Sequence, residues 1–293
     1  MKALIIAEHA AAAAELVAGA RTMADEVVAI SFGGAYECGA DKVLNITVPE
    51  GLTVDSAVET VNAVFDAENP EVVLVEACRH MKVIAGSLAF HADTAVITDV
   101  TAFEAEGAKS MYFGGIAERV QKAAGNVAIY TVGAGVFDGA EGANGSVAEQ
   151  EWVAPARPVK VVSSQVIEKS GVNLFKADVV VAAGRGFAEE SQLSLANDLC
   201  DKLGAGLACS RPLTEGVNWL PTERYVGVSG LMLTPKVYIA AGISGQMQHM
   251  VGCNRSGAIF AINKDKNAPI FKQCDFGLVG DIKDVLPAIT AAL

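Results

Sequence analysis

Charge and aromaticity are what this chain has least of: 19% of its 293 residues are charged and 6% aromatic. Basic residues are outnumbered 22 to 34, and the net charge of −12 argues against nucleic acid and anionic membrane surfaces as partners. Long apolar runs are missing as well. Met1-Lys2 leads into the apolar strand Ala3–Ala7, and the alanine-rich stretch after it is interrupted by Glu15 and Arg21. No cleavage-site pattern follows, so neither a signal peptide nor an integral membrane segment is expected. The cysteines (Cys38, Cys78, Cys200, Cys209, Cys253, Cys274) contain no C-x-x-C pair. That spacing indicates neither a zinc site nor a disulfide scaffold, and buried reduced thiols in a cytoplasmic protein are the expectation. His9, His80 and His91 are scattered with no carboxylate or cysteine at metal spacing, and read as structural. No Ser-His-Asp order, nucleophile elbow or phosphate loop with lysine is present.

What is present is apolar: 52% of residues, enough to bury a sizeable core in one large or two ordinary domains. Strands at Ala3–Ala7, Val27–Ile30, Lys42–Ile46 and Val72–Val75 alternate with helices at Ala10–Met23, Val54–Phe65 and Lys82–Ala92. Such alternation indicates a parallel, doubly wound sheet. From Ala95 to Val132 the pattern turns β-rich, with separate segments at Ala95–Val100 and Ala102–Glu106 and further ones at Met111–Phe113, Glu118–Gln121 and Val127–Val132. Gly133–Gly145 reads as a loop and Glu149–Arg157 as polar chain, with an interdomain linker between about residues 155 and 176. A second alternation begins at Asp178–Ala183, continues through a helix at Glu190–Leu203 and a strand at Gly206–Cys209, and closes with the helix Ile282–Ala292. The expected fold is therefore α/β in two domains: residues 1–165, α/β with an added β-rich segment, and residues 166–293, a doubly wound parallel sheet.

The second domain is organised around Lys236–Asp281. The strand Val237–Ala241 feeds Gly242-Ile243-Ser244-Gly245 and then a helix, an arrangement that presents free backbone N–H groups to an anion such as phosphate. Gln246, Gln248 and His249 fall in the first turn and a half of that helix. Asn263 and Asp281 stand at the carboxyl ends of later strands, where open α/β sheets bind ligands. Gly184-Arg185-Gly186 follows a strand directly; by itself it is either a ligand approach or a tight turn. Ser210-Arg211 ends another strand, and Arg211 meets an anion or π face, or else forms a rim salt bridge. Gly227-Val228-Ser229-Gly230 reads as a ligand contact or a glycine-flanked turn. Asp281 fits a helix N-cap as well as a ligand contact. His249, taken alone, is more often a helix residue satisfied by a neighbour.

Gly242-Ile243-Ser244-Gly245-Gln246-Met247-Gln248-His249, Ala261-Ile262-Asn263-Lys264-Asp265, Ala268-Pro269-Ile270-Phe271 and Asp275-Phe276-Gly277 also resemble the FAD domain of the electron transfer flavoprotein α subunit. Gly184-Arg185-Gly186, Ser210-Arg211 and Gly227–Gly230 fall upstream in the matching order, so the match covers the last 120 or so residues closely. The resemblance implies FAD as cofactor, with Gly230, Gly242 and Gly245 among the glycines of the site. It implies Arg185 on the pyrophosphate side, Ser244 and Gln248 serving phosphate and ribityl groups, and Gln246 beside them. Arg211, after Ser210, would lie over the isoalloxazine, His249 would donate to flavin O2, Asn263 would contact the adenosine half and Asp281 the ribose or adenine. Ser229 keeps the hydroxyl that would bond flavin N5. Val228 and Tyr225 depart from the family pattern, in which glutamines are usual. The resemblance further implies an electron carrier in a heterodimer with a β subunit docked on the first domain, passing electrons between a donor dehydrogenase and an acceptor oxidoreductase. Alternatives are a subunit of an electron-bifurcating flavoprotein, or a non-redox regulatory protein binding an adenine nucleotide.

Overall fold

The computed structural model describes residues 1–139, 142–165 and 172–293. The chain divides into two compact units, one comprising Met1–Tyr112 with Glu118–Val166 and the other Phe113–Ala117 with Ile167–Leu293. No helix among the described residues is long and apolar enough to cross a membrane.

The first unit grows from β1 (Lys2–Ile6), in which Ala3, Leu4, Ile5 and Ile6 are wholly buried. Successive strand residues point to opposite faces, so Ala3 and Ile5 enter one core layer and Leu4 and Ile6 the other. Helix α1 (Ala10–Ala20) closes the first layer, while α2 (Val58–Glu68) and α3 (Arg79–His91) close the second. A strand covered on both faces has no wet side, hence its unbroken apolar run. Each leucine or isoleucine buried this way contributes about 1.5–3 kcal/mol. β2 (Glu26–Phe32), β3 (Lys42–Ile46) and β4 (Val72–Glu76) complete the parallel centre, β2 and β4 flanking β1. β5 (Val96–Glu104), β6 (Gly107–Tyr112), β7 (Ala117–Gln121), β8 (Ala128–Val132) and β9 (Ser146–Gln150) extend it, giving the order β7-β6-β5-β8-β4-β1-β2-β3-β9 among the described residues.

Two features of this unit differ from the sequence-based expectation. Ala95–Val100 and Ala102–Glu106 are not two segments but one strand, β5, whose register shifts between Val100 and Ala102. Asp99, at φ 53°, precedes the irregularity, so a bulge accounts for the break in pattern. β9 follows the chain read as the Gly133–Gly145 loop, and its last two residues fall in the stretch Glu149–Arg157 read as polar. It is an edge strand with no buried face, so it shows no alternation; it is held by its parallel pairing with β3 and by Asn45 Nδ2 donating to Glu149 at 2.8 Å. The expected 155–176 linker and the Gly133–Gly145 loop each lie partly outside the described residues.

The second unit repeats the layering on a smaller sheet. β10 (Val179–Ala183) is followed by α4 (Leu193–Leu203), β11 (Gly206–Cys209), β12 (Val237–Ala241), α5 (Met247–Met250), β13 (Ala258–Asn263), β14 (Phe276–Val279) and α6 (Ile282–Ala292). The strands run parallel in the order β11-β10-β12-β13-β14. Val181 and Ala183 face the layer closed by α4 and α6, while Val180 and Ala182 face a layer holding Tyr238, Met250 and Ile270. From β10 the chain passes to β11 on one side and then crosses to β12 on the other. The two connections therefore diverge between β10 and β12, and a crevice opens at the carboxyl ends of these strands.

Candidate functional site

The crevice exists because three glycines let two backbones touch. Gly184 N donates to Ala241 O at 2.9 Å and Gly186 N to Gly242 O at 2.9 Å, stitching the end of β10 to the end of β12. A Cβ on Gly184 would stand 2.6 Å from Ile243 Cγ1, and one on Gly186 would stand 2.6 Å from Gly242 Cα. Gly242 itself adopts φ +65°, a left-handed conformation that glycine takes without strain.

Above this seam lies a cavity of about 510 Å³, within the range of small-molecule and cofactor sites. Its walls come from the carboxyl ends of β10 to β13 and from the start of α6. Arg185, Ser210, Arg211, Gly242, Ser244, Gln246, Gln248, His249, Asn263 and Asp281 all line it. So do Gly186, Pro212, Tyr225, Val228, Ile243, Lys264, Gly280 and Ile282. Arg185, Arg211 and Lys264 face it against the single carboxylate of Asp281. In a chain of net charge −12, that concentration of cations marks an anion site.

His249 is the buried polar group of the wall, 7% exposed. Its Nε2 lies 2.9 Å from the hydroxyl of Tyr238, a residue with no exposure at all. Its Nδ1 is buried and makes no hydrogen bond of good geometry. Burial lowers the imidazole pKa to about 4, with the Val226 backbone pulling part of the way back, so the ring is neutral at pH 7. One nitrogen is satisfied by the Tyr238 hydroxyl and the other is enclosed next to the Val226 backbone.

Other expected residues resolve differently. The helix read after Gly245 is only the turn Met247–Met250, with Gln246 as its N-cap. Gly245 does not line the cavity; at φ +84°, its Cβ would fall 2.4 Å from the Ile270 backbone, which makes it a packing glycine. Ser229 and Gly230 also lie outside the lining. Ser229 Oγ is 3.3 Å from the Tyr225 hydroxyl, and a Cβ on Gly230 would stand 2.5 Å from the Tyr225 ring. This loop thus supports Tyr225, the wall residue that pattern reading treated only as a departure. Arg211 forms the rim ion pair considered from the sequence, Nε to Glu215 Oε2 at 2.6 Å. Asn263 Nδ2 donates to Ile243 O and its Oδ1 accepts from Asp265 N, both at 2.9 Å, so its amide also pins the glycine loop. Asp281 caps α6, Oδ1 accepting from Lys283 N at 3.0 Å. Lys264 carried a visible signal, a cation at the carboxyl end of a buried strand; Pro212 and Gly280 carried none.

The histidine reading needs a correction. His9 Nδ1 lies 2.7 Å from Glu76, His80 Nδ1 2.9 Å from Glu8 and His91 Nε2 2.8 Å from Asp66, so each does meet a carboxylate. All three partners are distant in sequence, which is why spacing did not show them.

Comparison with known proteins agrees with this architecture. Residues 3–157 match the electron transfer flavoprotein domain, and residues 173–254 match the electron transfer flavoprotein FAD-binding domain. Protein FixB of Escherichia coli O157:H7 and of Shigella flexneri are each 39% identical to this chain, over 95% of it and 94% of the relative. The chain belongs to the electron transfer flavoprotein α-subunit family, with its FAD-binding domain in the C-terminal half.

Proposed function

We propose that this chain is the FAD-bearing subunit of a cytoplasmic heterodimer, passing electrons from a donor dehydrogenase to an acceptor oxidoreductase. The observation that carries it is the 510 Å³ cavity at the β10–β12 crevice, with three cations, a glycine floor and an unpaired buried imidazole nitrogen. Those features fit FAD: cations for a pyrophosphate, bare backbone for close approach, and a neutral ring for a carbonyl. Bound FAD supplies the electron chemistry, and the protein supplies position and electrostatics.

In this reading Arg185 serves the pyrophosphate, with Ser244, Gln246 and Gln248 along the phosphate and ribityl side. Arg211, already oriented by Glu215, offers positive charge to the flavin ring beside Tyr225. Ser229 reaches the flavin only through Tyr225 unless the loop shifts. His249 presents Nδ1 to the pyrimidine edge while Tyr238 holds Nε2. Asn263 and Asp281 frame the adenosine half.

The first domain, residues 1–165, is the docking body for a β subunit, and the domain of residues 166–293 carries the flavin. Support for docking comes from α3, where Val83 and Phe90, seven residues apart, are 51% and 90% exposed, an apolar surface that a solitary chain has reason to cover. Expression of the chain together with its β subunit should give a heterodimer retaining FAD at up to one per chain, with a higher melting temperature than the chain alone. Heat-released FMN or AMP instead of FAD, or a fully loaded monomer active without a partner, would overturn the proposal.

Asp281 tests the cavity residue by residue. Asp281→Asn keeps an oxygen for the α6 cap but removes the charge; Asp281→Ala removes both. The alanine variant is expected to lose about 1 kcal/mol of stability without cofactor, the asparagine variant little. Both should release FAD more readily than the parent chain. Equal FAD retention by Asp281→Asn and the parent chain would make Asp281 a cap and nothing more.

A further inference from the structure

Glu8 and His9 follow β1, and Cys78 follows β4, so neighbouring strands bring them together at the carboxyl edge of the first unit's sheet. One carboxylate oxygen of Glu8, one ring nitrogen of His9 and Sγ of Cys78 all lie within 4.8 Å of one another. Cys78 Sγ is 3.3 Å from Glu8 Oε2. Around this trio stands an outer ring. Glu76 Oε1 holds His9 Nδ1 at 2.7 Å, and its Oε2 accepts from the backbone N–H groups of Glu8 and His9 at 2.8 and 3.1 Å. His80 Nδ1 lies 2.9 Å from Glu8 Oε1.

We propose that Glu8, His9 and Cys78 bind one divalent transition-metal ion of borderline softness, of which Zn²⁺ is the type. The donor set names the class. Thiolate, imidazole and carboxylate together suit zinc and its neighbours, whereas magnesium and calcium take oxygen alone. Glu76 engages Nδ1 of His9, and a carboxylate–histidine–metal chain, with the ion on the other ring nitrogen, is the usual outer-shell arrangement. Charge points the same way. The side chains of Glu8 and Glu76 are 23% and 16% exposed, and their ion-pair partners among the described residues are histidines alone. A dication would balance both carboxylates.

Without an ion, the Cys78 thiol is inert: burial, with Glu76 and Glu8 adding to it, pushes its pKa up to about 12. Binding exchanges the thiol proton for the metal, S–H breaking as S–metal forms and the proton leaving to solvent. The ion would tie the ends of β1 and β4 and complete its shell with water or His80. No residue of this site lines the cavity of the second unit, so the two can be tested apart.

The experiment uses the full chain, stripped with chelator and titrated with Co²⁺ as a visible stand-in for Zn²⁺. One Co²⁺ per chain is expected, with a thiolate-to-cobalt charge-transfer band that Zn²⁺ displaces, and a melting temperature that rises with Zn²⁺ concentration. Cys78→Ser should abolish the band, and Cys274→Ser should leave it intact. Glu76→Gln should weaken binding about 10–100-fold, as loss of an orienting partner does. His9 is exposed, so His9→Ala is a fold-safe second variant, expected to weaken binding about tenfold or more with FAD content unchanged. Absence of the band in the parent chain, its persistence in Cys78→Ser, or unaltered affinity in His9→Ala would each overturn the site and leave two histidine–glutamate pairs.

Discussion

Gly242→Ala is expected to cost the second unit much of its stability and the protein its FAD. Two separate penalties meet at this residue. The left-handed φ of +65° costs a non-glycine residue about 1–2 kcal/mol. The added Cβ would also stand 2.7 Å from Gly186 Cα and 3.0 Å from Gly186 N, backbone atoms with no side chain to rotate away. Overpacking of this kind costs about 1–3 kcal/mol, so the sum is roughly 2–5 kcal/mol against a usual domain stability of about 5–15 kcal/mol. Relief requires β10 and β12 to part at the seam, which moves the floor of the cavity. Gly204 is the control within the same unit: its φ is +61°, but nothing lies within 4 Å of its Cβ position. Gly204→Ala should therefore show only the conformational penalty and keep its flavin. Urea unfolding, read alongside FAD released on heating, separates the two. Equal costs and equal FAD retention would mean that the close approach of β10 and β12 does no more than an ordinary turn.

Why Gly242 was legible in the sequence and Tyr225 was not follows from how each acts. A strand, a glycine turn and a polar residue at the next strand's carboxyl end form a local signal, and parallel packing puts such ends together. That logic reached Arg185, Arg211, Ser244, Asn263 and Asp281, all of which line the cavity. It failed where a role depends on chain far away in sequence. Gly245 lies against the Ile270 backbone, a contact that no local pattern shows. The cluster at Glu8, His9, Glu76 and Cys78 is the strongest case, because about seventy positions separate its halves and only the β1–β4 pairing joins them. Edge strand β9 was missed for the complementary reason. With no face buried, it has no periodicity to read.

Acidification should destabilise this chain through His249 more than through any ordinary surface histidine. The folded protein holds the imidazole at a pKa of about 4, chiefly by burial, against 6.5 in an exposed chain. Between those values the unfolded state takes up a proton that the folded state refuses. Stability is therefore full above about pH 6.5, declines as the pH falls toward 4, and loses nothing further to this group below that. The difference corresponds to roughly 3 kcal/mol at the acid end. His249→Gln, whose amide can still pair with the Tyr238 hydroxyl, has no proton to gain. Unfolding by urea at a series of pH values, with FAD removed, should show the parent chain losing stability more steeply than this variant through the pH 6.5 to 4 window, by close to one linked proton. Parallel curves would mean that the imidazole titrates in the fold as it does in water. In that case it would approach the cavity as a cation at mildly acidic pH, and Arg185, Arg211 and Lys264 would not be its only positive charges. With the steeper curve, His249 meets a ligand as a neutral donor, and the attraction for an anion rests on those three residues.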